Sequence, residues 1–378
     1  MKEGWQTKTL GEACEMYQPK TISGKDLVED GAYLVYGANG VIGRYNKFNH
    51  EEPQLLITCR GATCGSVNIS APRSWVTGNA MVVRPKNGSL EMRYLEYLFR
   101  GGIDISKAIT GAAQPQITRT NLEPLEISYP ESLAEQQRIV GLLDEAFEGL
   151  ATAKANAEKN LQNARALFES HLQSVFTQRG PGWVEKHLKE VCEKITDGTH
   201  QTPKYFDEGI VFLSSRNVTS GTIDWDRIKY IDTKQHLEMH KRVAPRRNDI
   251  LLAKNGTTGV AAIVDRDTTF DIYVSLALLR ALPVMRPRFL LHFINSPVAK
   301  VQFNKRLKGV GVPNLHLEEI REVRLAFPAD LQAQDRVVDE LDELREETQR
   351  LARLYERKHA ALEALIQSLL HQAFTGQL

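Results

Sequence analysis

Arg216 and Asn217 are neighbours in the polar segment Leu213-Ser-Ser-Arg-Asn-Val-Thr-Ser-Gly. An arginine guanidinium can donate two hydrogen bonds to a guanine edge, and an asparagine amide can pair in the same way with adenine. The serine, threonine and glycine residues around them are typical of a turn or loop. These two side chains are therefore candidates for reading bases. A turn that these residues close for structural reasons alone is the alternative.

Two glycine-rich loops combine a cation with hydroxyl groups and backbone N–H groups, a mixture that suits phosphate or base contacts. One is Lys254-Asn255-Gly-Thr257-Thr-Gly, and we take Arg60-Gly-Ala-Thr63-Cys-Gly as its counterpart. Of these side chains, Lys254 is expected to contact phosphate. In the alternative interpretation the glycines only close turns and the cations lie on a solvated face.

His200 lies in Asp197-Gly-Thr199-His200-Gln-Thr-Pro, where it could be imagined as a general base. No serine or cysteine nucleophile motif accompanies it, so hydrogen bonding within a loop is the favoured role. The sequence has no Gly-x4-Gly-Lys-Ser/Thr phosphate loop and no Asn/Asp-Pro-Pro-aromatic run for methylating a base. The glycines that begin at Gly37 have the wrong spacing for dinucleotide binding and predict a tight turn. We assign no catalytic residue.

The overall charge gives no general argument for nucleic acid, because 48 Lys and Arg face 47 Asp and Glu among 378 residues. Any phosphate contact must come from local clusters. Residues 227–254 form such a cluster, with eight Lys or Arg against three acidic residues. The four cysteines lack zinc-site spacing, so we expect free thiols and no metal site. With no apolar stretch near eighteen residues, we expect a soluble, cytoplasmic protein.

The chain contains an imperfect internal repeat. Gly4-Trp5-x-x-Lys-x-Leu-x-Glu-x-Cys-Glu recurs from Gly182, and Leu56-x4-Gly-x-Thr recurs from Leu251. Residues 115–177 match residues 313–375 without a gap, with 17 identities in 63 positions. Ordinary residue usage would give roughly four. Insertions are confined to the front part of each half.

The ungapped segments are predicted to be helices of about 45 residues, or about 68 Å, because apolar residues recur at spacings of three and four. Each apolar stripe needs a partner, and its own copy is the obvious one. A coiled coil of unspecified purpose is the alternative, but equal lengths indicate a spacer. The stripe residues that we expect to form the spacer or to dock partners are Leu143, Leu150, Leu161, Leu341, Leu351 and Leu365.

The front segments are predicted to be mixed α and β, with strands such as Gln54-Leu-Leu-Ile-Thr, Ala80-Met-Val-Val-Arg and Asp249-Ile-Leu-Leu-Ala between turns. Helices are expected near Met92–Arg100 and Arg288–Asn295. The fold class is therefore α+β, with two globular domains joined by two long helices. We divide the sequence into residues 1–132, 133–179, 180–330 and 331–378.

These features resemble the specificity (S) subunit of type I restriction–modification enzymes. The resemblance covers essentially the whole chain and depends on the two Gly-Trp starts, on Gln114-Pro-Gln-Ile and Pro313-Asn-Leu, and on the Pro-x-x-Leu-x-x-Gln entries to the long helices. The run Thr196-Asp-Gly-Thr-His-Gln-Thr-Pro and the end Gln372-Ala-Phe-Thr-Gly-Gln-Leu also look like that family. The paired architecture is more specific than any single motif.

The resemblance implies two target-recognition domains, each reading one half of a split site in double-stranded DNA, spaced by antiparallel helices in a pseudo-twofold arrangement. It also implies docking of two methyltransferase subunits and a motor–nuclease restriction subunit. S-adenosylmethionine, ATP and Mg²⁺ would belong to those partners, and no cofactor is expected on this chain. A methyltransferase fused to recognition domains and a scaffold or adaptor that does not bind DNA are the competing functions.

Within this interpretation, the candidate DNA contacts are polar or aromatic residues in the loops and turns of both fronts. They are Tyr36, Asn39, Arg60, Thr63, Gln116, Thr199, His200, Arg216, Asn217, Lys254, Asn255 and Thr257.

Overall fold

The computed structural model describes residues 3–218, 221–256, 258–307 and 314–378. The chain divides into two compact units. The first unit comprises Met1–Glu158 and Arg357–Leu378, and the second unit comprises Lys159–Glu356. Each unit therefore contains one front segment and part of both long helices. The four-segment division of the sequence stays a prediction.

The first unit contains eleven strands among its described residues: β1 (Trp5–Thr9), β2 (Cys14–Tyr17), β3 (Tyr33–Gly37), β4 (Gly40–Tyr45), β5 (Leu55–Thr58), β6 (Val67–Ile69), β7 (Trp75–Val76), β8 (Ala80–Pro85), β9 (Ile109–Thr110), β10 (Gln116–Ile117) and β11 (Glu126–Pro130). Its helices are α1 (Leu10–Ala13), α2 (Met92–Tyr97), α3 (Arg119–Leu122) and the start of α4 (Leu133–Thr177).

Two sheets and a ribbon organise the first front. The four-stranded sheet has the order β2-β8-β5-β6, and the three-stranded sheet has the order β4-β3-β7, with β3 parallel to β7. Strand β5, Leu-Leu-Ile-Thr, is buried at every position, as expected for a strand covered on both faces. The ribbon pairs β1 with β11, and Trp5 lies opposite Pro130. This ribbon brings the start of the front to the residues that precede α4.

The strands of the second unit are β12 (Trp183–His187), β13 (Cys192–Asp197), β14 (Ile210–Leu213), β15 (Lys229–Ile231), β16 (Ile250–Ala253), β17 (Ala261–Ile263), β18 (Phe270–Ile272), β19 (Leu276–Ala281) and β20 (Arg324–Pro328). Its helices, besides the end of α4, are α5 (Leu188–Val191), α6 (Thr233–Arg242), α7 (Pro287–Asn295), α8 (Pro297–Asn304), α9 (Leu317–Arg321) and α10 (Leu331–Thr375).

The second unit repeats the sheet order of the first. Its four-stranded sheet is β13-β19-β16-β17, its three-stranded sheet is β15-β14-β18 with β14 parallel to β18, and its ribbon pairs β12 with β20. The pair Trp183 and Pro328 occupies the place of Trp5 and Pro130. The repeat predicted from the sequence is therefore a repeat of topology. Helix α6 is a difference, because residues 46–54, the corresponding segment of the first unit, are irregular.

A buried glutamine joins each front to its long helix in the same way. The side chain of Gln136 donates to the carbonyls of Ser89 and Pro130 and accepts from the N–H of Glu91. In the second unit Gln334 donates to the carbonyls of Val284 and Pro328, and it accepts from the N–H of Arg286. Both glutamines are completely buried. The Gln of each helix-entry motif therefore has a structural role.

The two long helices each have 45 residues, as the periodicity predicts. They run antiparallel within each unit. In the first unit Lys154 pairs with Glu363, and Arg138 donates to the carbonyl of Leu378. In the second unit Arg165 pairs with Glu356 and His171 with Glu340. Partner numbers fall along α10 as they rise along α4, which defines the direction of the pairing.

The larger hydrophobic core of each unit takes residues from both long helices. Ile139 and Leu143 of α4 join Leu370 and Ala373 of α10 in the first unit. Leu172 and Phe176 of α4 join Leu341 of α10 against helix α7 in the second unit. Among the described residues, none of the helices has the length and apolar character needed to cross a membrane.

Candidate nucleic-acid interface

A cavity of about 730 Å³ opens in the second unit where β14 ends. It is lined by the three cationic residues Arg216, Arg227 and Lys229, the acidic Asp224, the aromatic residues Tyr205, Phe212 and Tyr273, and the polar residues Thr202, Ser214, Ser215, Asn217 and Ser275. Cations supply phosphate contacts, and aromatic and amide groups can meet bases. The cavity therefore has the composition of a nucleic-acid contact surface.

Arg216 and Asn217 lie together in a 3-10 turn, Ser215–Asn217, at the edge of this cavity, but they face different surroundings. Arg216 is exposed, whereas Asn217 is 6% exposed. The Asn217 amide accepts from the N–H of Ser214 and donates to the carbonyls of Asp224 and Arg227. Its hydrogen bonds therefore fix the loop that carries Arg227, and this orientation favours a positioning role over base contact.

The aromatic wall was not foreseen from the sequence. Lys229 Nζ lies 3.8 Å from the centre of the Tyr205 ring, a cation–π contact, and the Tyr205 ring lies 6.0 Å from that of Phe212. Burial raises the pKa of the Tyr205 hydroxyl. Tyr273 shares a hydrogen bond of 3.3 Å with Thr202. The available signal was the run Pro-Lys-Tyr-Phe at 203–206, in which a cation adjoins two aromatic residues.

Lys254 is buried in an ion-pair network instead of lying exposed to phosphate. Its ammonium is 3.1 Å from Asp197, which also accepts from Arg242 at 2.7 Å and lies 3.3 Å from His200. Burial alone would raise the pKa of Asp197, but the hydrogen bonds from Arg242 and Lys254 outweigh it and hold that pKa below its ordinary value. The network fixes the loop that carries the half-buried Thr199 and the exposed His200.

The glycine of Asp197-Gly198-Thr199 is required by a close backbone approach. A Cβ atom at Gly198 would lie 1.9 Å from the carbonyl oxygen of Ile272 on β18. The N–H of Thr199 donates to that same carbonyl at 3.0 Å. The segment that presents His200 is therefore held tightly against the three-stranded sheet.

The two glycine-rich loops occupy equivalent places in the units, in the register of the repeats that begin at Leu56 and Leu251. The backbone of Arg60 forms an isolated antiparallel β-bridge with Gln116, and that of Asn255 forms one with Asn314. Arg60 is therefore the counterpart of Asn255, and Lys254 is the counterpart of the buried Cys59. The loop between the flanking strands is one residue longer in the first unit, as the backbone hydrogen bonds from Gly65 to Thr58 and from Gly259 to Ala253 indicate.

In the first unit three candidates come together on an exposed surface. Arg60, Thr63 and Gln116 are exposed, and the Arg60–Gln116 bridge joins the loop to the strand that precedes α3. Asn39 is exposed at the tip of the β3–β4 hairpin and accepts a hydrogen bond from Asn68. Tyr36 is 8% exposed, and its hydroxyl accepts from the N–H of Ala71, so it is a core residue.

Two exposed apolar residues beside the hairpin tip are not indicated by the sequence pattern. Val41 and Ile42 on β4 are each 52% exposed. Apolar groups in such a place can contact thymine methyl groups or another protein. In the second unit Asn255 is half-buried, and Thr257 lies outside the described residues. Each of these DNA-contact assignments stays a prediction.

The predicted stripe residues of the long helices are mostly inward. Leu143 and Leu341 are completely buried. Leu150, Leu161 and Leu351 are half-buried, consistent with the interface between two paired helices. Leu365 is 45% exposed, because the buried face of α10 there passes through its neighbours Ile366 and Leu369.

One group among the described residues has the composition of a metal site, although cysteine spacing predicts none. His236 and His240 on α6 and Asp271 on β18 bring their candidate ligand atoms within 4.8 Å of one another. Asp271 is buried and lies 2.7 Å from His236 Nδ1 and 3.1 Å from His240 Nδ1. Sequence alone gives the His-x3-His spacing but cannot pair it with an aspartate 31 residues farther along.

Comparisons with solved structures give the same fold. A chain from work titled "Structural basis underlying complex assembly and conformational transition of the type I R-M system" superposes with a TM-score of 0.80 and 19% identity, over 100% of this chain and 99% of that one. The HsdS subunit from Thermoanaerobacter tengcongensis gives a TM-score of 0.59 and 19% identity, over 100% and 98% of the chains. No curated protein matches the sequence.

The sequence pattern of one protein family accounts for most of the chain. The type I restriction modification DNA specificity domain matches residues 2–161 and, a second time, residues 181–356. The two matches correspond to the two repeats found in the sequence and in the sheet order. Repeated topology, a basic and aromatic cavity and this double match lead to one conclusion: the chain belongs to the type I restriction–modification DNA specificity family.

Proposed function

We propose that the chain reads a split DNA site, one half with each unit, and that the second unit makes its specific contacts around the cavity edged by Arg216. The observation that carries this proposal is the composition of that cavity. Three cations and two tyrosines face one opening, and the one acidic residue among its lining residues, Asp224, is already paired with Arg227 at 3.0 Å. This surface attracts the DNA backbone while leaving groups that can read base edges.

Exposed side chains are proposed to contact DNA, and buried side chains are proposed to hold the loops in position. Arg216, Lys229 and His200 lie at exposed or cavity-lining positions and are proposed to touch DNA. Asn217 and Lys254 are proposed as positioning residues, because their polar groups already bond the loops that carry those contacts. In the first unit Arg60, Thr63, Gln116 and Asn39 are proposed as the corresponding contacts. The two halves of the site would then be read by unlike side chains on a common topology.

A groove at equivalent positions of both units supports docking of two like partners. In the second unit Phe168 and Leu172 of α4 and Arg345 of α10 line it. The first unit uses the residues at the same repeat positions, and these are Ile366, Leu370 and Phe147.

We propose that each groove with its helix surface, including Leu365, receives one methyltransferase subunit, with a motor–nuclease subunit joining the assembly. S-adenosylmethionine, ATP and Mg²⁺ would be used by those subunits in the cytoplasm.

In this proposal the chain itself is not catalytic. The cavity of the second unit presents cations and aromatic groups but no nucleophile paired with a base. The net charge of +1 also suggests that the isolated chain binds DNA weakly and gains phosphate contacts from its partners. A methylation assay on the isolated chain distinguishes the fused-enzyme alternative, since activity without a partner would support it.

The direct test is a segment exchange. Residues 182–330 are replaced by the corresponding segment of a relative, and the methylated sites of a host genome are sequenced with the methyltransferase partner present. We expect one half of the recognised site to change and the other half to remain. Exchange of residues 4–132 is the matched control and should change the opposite half. Alteration of both halves by either exchange contradicts the proposal, and loss of DNA binding with and without partner would favour the scaffold alternative.

A further inference from the structure

Helix α6 is tied to the three-stranded sheet of the second unit by three polar side chains. His236 and His240 are four residues apart, so their rings lie on one face of the helix. Both reach Asp271 on β18: His236 Nδ1 lies 2.7 Å from one carboxylate oxygen, and His240 Nδ1 lies 3.1 Å from the other. The three groups converge on one point between helix and strand.

Burial of the Asp271 carboxylate costs free energy unless its charge is compensated. The side chain of Asp271 is 1% exposed, while those of His236 and His240 are 14% and 32% exposed. A buried carboxylate needs a compensating charge or full hydrogen bonding. Neutral imidazoles supply hydrogen bonds but no charge, whereas a divalent cation held by the same three groups would supply both.

Helix α6 has little else to hold it. None of its residues is fully buried, and Leu237, its one leucine, is 59% exposed. Asp232 caps its first turn, and Gln235 exchanges hydrogen bonds with the backbone of Lys204. Its C-terminal turn carries His240, Lys241 and Arg242, of which Arg242 bonds Asp197. The histidine–aspartate cluster is therefore the main link from the middle of this helix to the sheet.

We propose that His236, His240 and Asp271 form a binding site for a divalent transition-metal ion of the Zn²⁺ class. Two imidazoles and one carboxylate are a donor set that Zn²⁺ accepts, with water completing the coordination. Imidazole donors make Mg²⁺ and Ca²⁺, which favour oxygen ligands, poor occupants. The ion takes the place of the protons between the imidazoles and the carboxylate, and the partial exposure of His240 gives it a path from solvent.

The site fastens α6, whose Gln235 bonds the backbone of Lys204, the residue before Tyr205 of the cavity lining. The same residues 227–254 that supply the local excess of positive charge include this helix. Because protons compete with the metal for the imidazole nitrogens, binding weakens at acidic pH. The inference concerns this site alone and does not require the proposed DNA contacts.

The test uses full-length protein freed of metal with a chelator and titrated with Co²⁺, followed by competition with Zn²⁺. We expect one equivalent to bind, with visible Co²⁺ absorption bands, and binding to be weaker at pH 5.5 than at pH 7.5. His240→Gln and Asp271→Asn should each weaken binding by at least about tenfold, since even loss of a residue that only supports a ligand costs about 10- to 100-fold. The matched control is His187→Gln, since His187 also lies beside carboxylates, Glu190 at 3.0 Å and Glu322 at 3.9 Å.

His240→Gln is the primary variant because His240 is the most exposed of the three, and circular dichroism establishes that it is folded. If the parent protein binds no stoichiometric metal, or if folded His240→Gln binds as tightly as the parent, the proposal is overturned and the cluster is a hydrogen-bonded anchor. Intense near-ultraviolet thiolate bands would equally overturn it, by assigning the ion to Cys59 or Cys64. Unchanged binding in His187→Gln together with loss in the two cluster variants supports it.

Discussion

At the scale of single residues, Arg216 is the strongest candidate for reading a base. It is exposed at the edge of a cavity, and its neighbours Ser215 and Asn217 are fixed by hydrogen bonds. We expect Arg216→Ala to relax the choice of base at one position of one half-site by about 1–3 kcal/mol, roughly 5- to 150-fold. Binding to a library of sites, each changed at one position, measures this loss.

The matched control for that experiment is Arg247→Ala. Arg247 belongs to the same unit, is exposed, and pairs with Asp267 away from the cavity lining. Its removal should leave base preferences unchanged. If Arg216→Ala weakens binding to all sequences equally, Arg216 contacts phosphate and the readout must come from other residues around the cavity.

The sequence around Lys254 predicts a phosphate contact, whereas its buried position predicts a role in stability. Its side chain is 6% exposed and pairs with Asp197, so Lys254→Ala removes a charge partner from a buried carboxylate. We expect a loss of unfolding free energy of roughly 2–3 kcal/mol, with no change in the salt dependence of DNA binding. Urea denaturation and binding at several salt concentrations separate the two effects.

Lys229→Ala is the comparison for that variant, because Lys229 lines the cavity next to Tyr205. It should lower the slope of log K against log salt by about one, as loss of a single phosphate contact does. A lowered slope in Lys254→Ala would mean that the lysine leaves Asp197 when DNA binds. The lowered pKa of Asp197 also sets the pH limit: the pair stabilises the unit above the ordinary carboxyl range and is lost as pH falls through the lowered value.

These residues also show which features of the site can be predicted from the sequence and which cannot. The residue types that surround the site were recognisable, because arginine, lysine and asparagine in glycine-rich loops have few common uses. Their orientation was not recognisable. The buried Lys254 pairs with an aspartate 57 positions earlier, and the buried Asn217 donates to carbonyls of a loop that folds back on it. The same limit hid Tyr205 and Lys229, which lie next to the bridge between Phe206 and Tyr230 of β15.

At the scale of elements, the entry to each long helix depends on one buried glutamine. Removing the amide of Gln334 leaves one N–H and two carbonyls without partners, and an unsatisfied buried group costs about 1–3 kcal/mol. We therefore expect Gln334→Ala to lower the free energy of unfolding of the second unit by roughly 2–4 kcal/mol, and Gln136→Ala to do the same in the first. Denaturation followed by tryptophan fluorescence measures both.

The exposed Gln332, two residues before Gln334 in the first turn of α10, provides the control. Gln332→Ala should change stability by less than about 0.5 kcal/mol, as exposed substitutions do. Equal stability of Gln334→Ala and Gln332→Ala would mean that water replaces the amide, and the shared motif would then need another explanation.

The elements differ in how well the sequence predicted them. The long helices were clear because their apolar spacing persists for twelve turns, and the strands at Leu55, Ala80 and Ile250 were clear because they are continuous apolar runs between turns. Helix α6 was not foreseen, since none of its residues is buried and hydrogen bonds of Asp232, His236 and His240 hold it. The parallel pairings of β3 with β7 and of β14 with β18 join distant segments, which local patterns do not indicate.

At the scale of the whole molecule, duplication explains both what is kept and what varies. The sheet order, the ribbon before each long helix and the buried glutamine are the same in both units. The loops around Arg60 and Lys254, helix α6 and the cavity side chains differ. A protein that must read two different half-sites with one framework needs this combination. The shared sheets and helices position the loops on DNA, and the loop residues determine which bases are recognised.

The equal lengths of the long helices lead to the last prediction. Both helices have 45 residues, and the ungapped match of residues 115–177 with 313–375 contrasts with the length changes in the fronts. Since Lys154 pairs with Glu363, a matched insertion must lengthen α4 after Asn156 and α10 after Ala361 together. Seven residues in each add about 10 Å and keep the apolar stripes nearly in register. We expect the preferred gap between half-sites to grow by about three base pairs at 3.4 Å each.

Methylation of a DNA library that differs only in gap length, with the methyltransferase partner present, measures this preference. Two residues inserted at the same points are the control, because they turn each stripe by about 200° and should break the pairing of the helices and reduce solubility. A folded seven-residue variant that keeps the parent gap would show that the helices do not set the spacing. Their matched lengths would then reflect only the two equivalent grooves, lined by Phe168 and Ile366, that we assign to partner subunits.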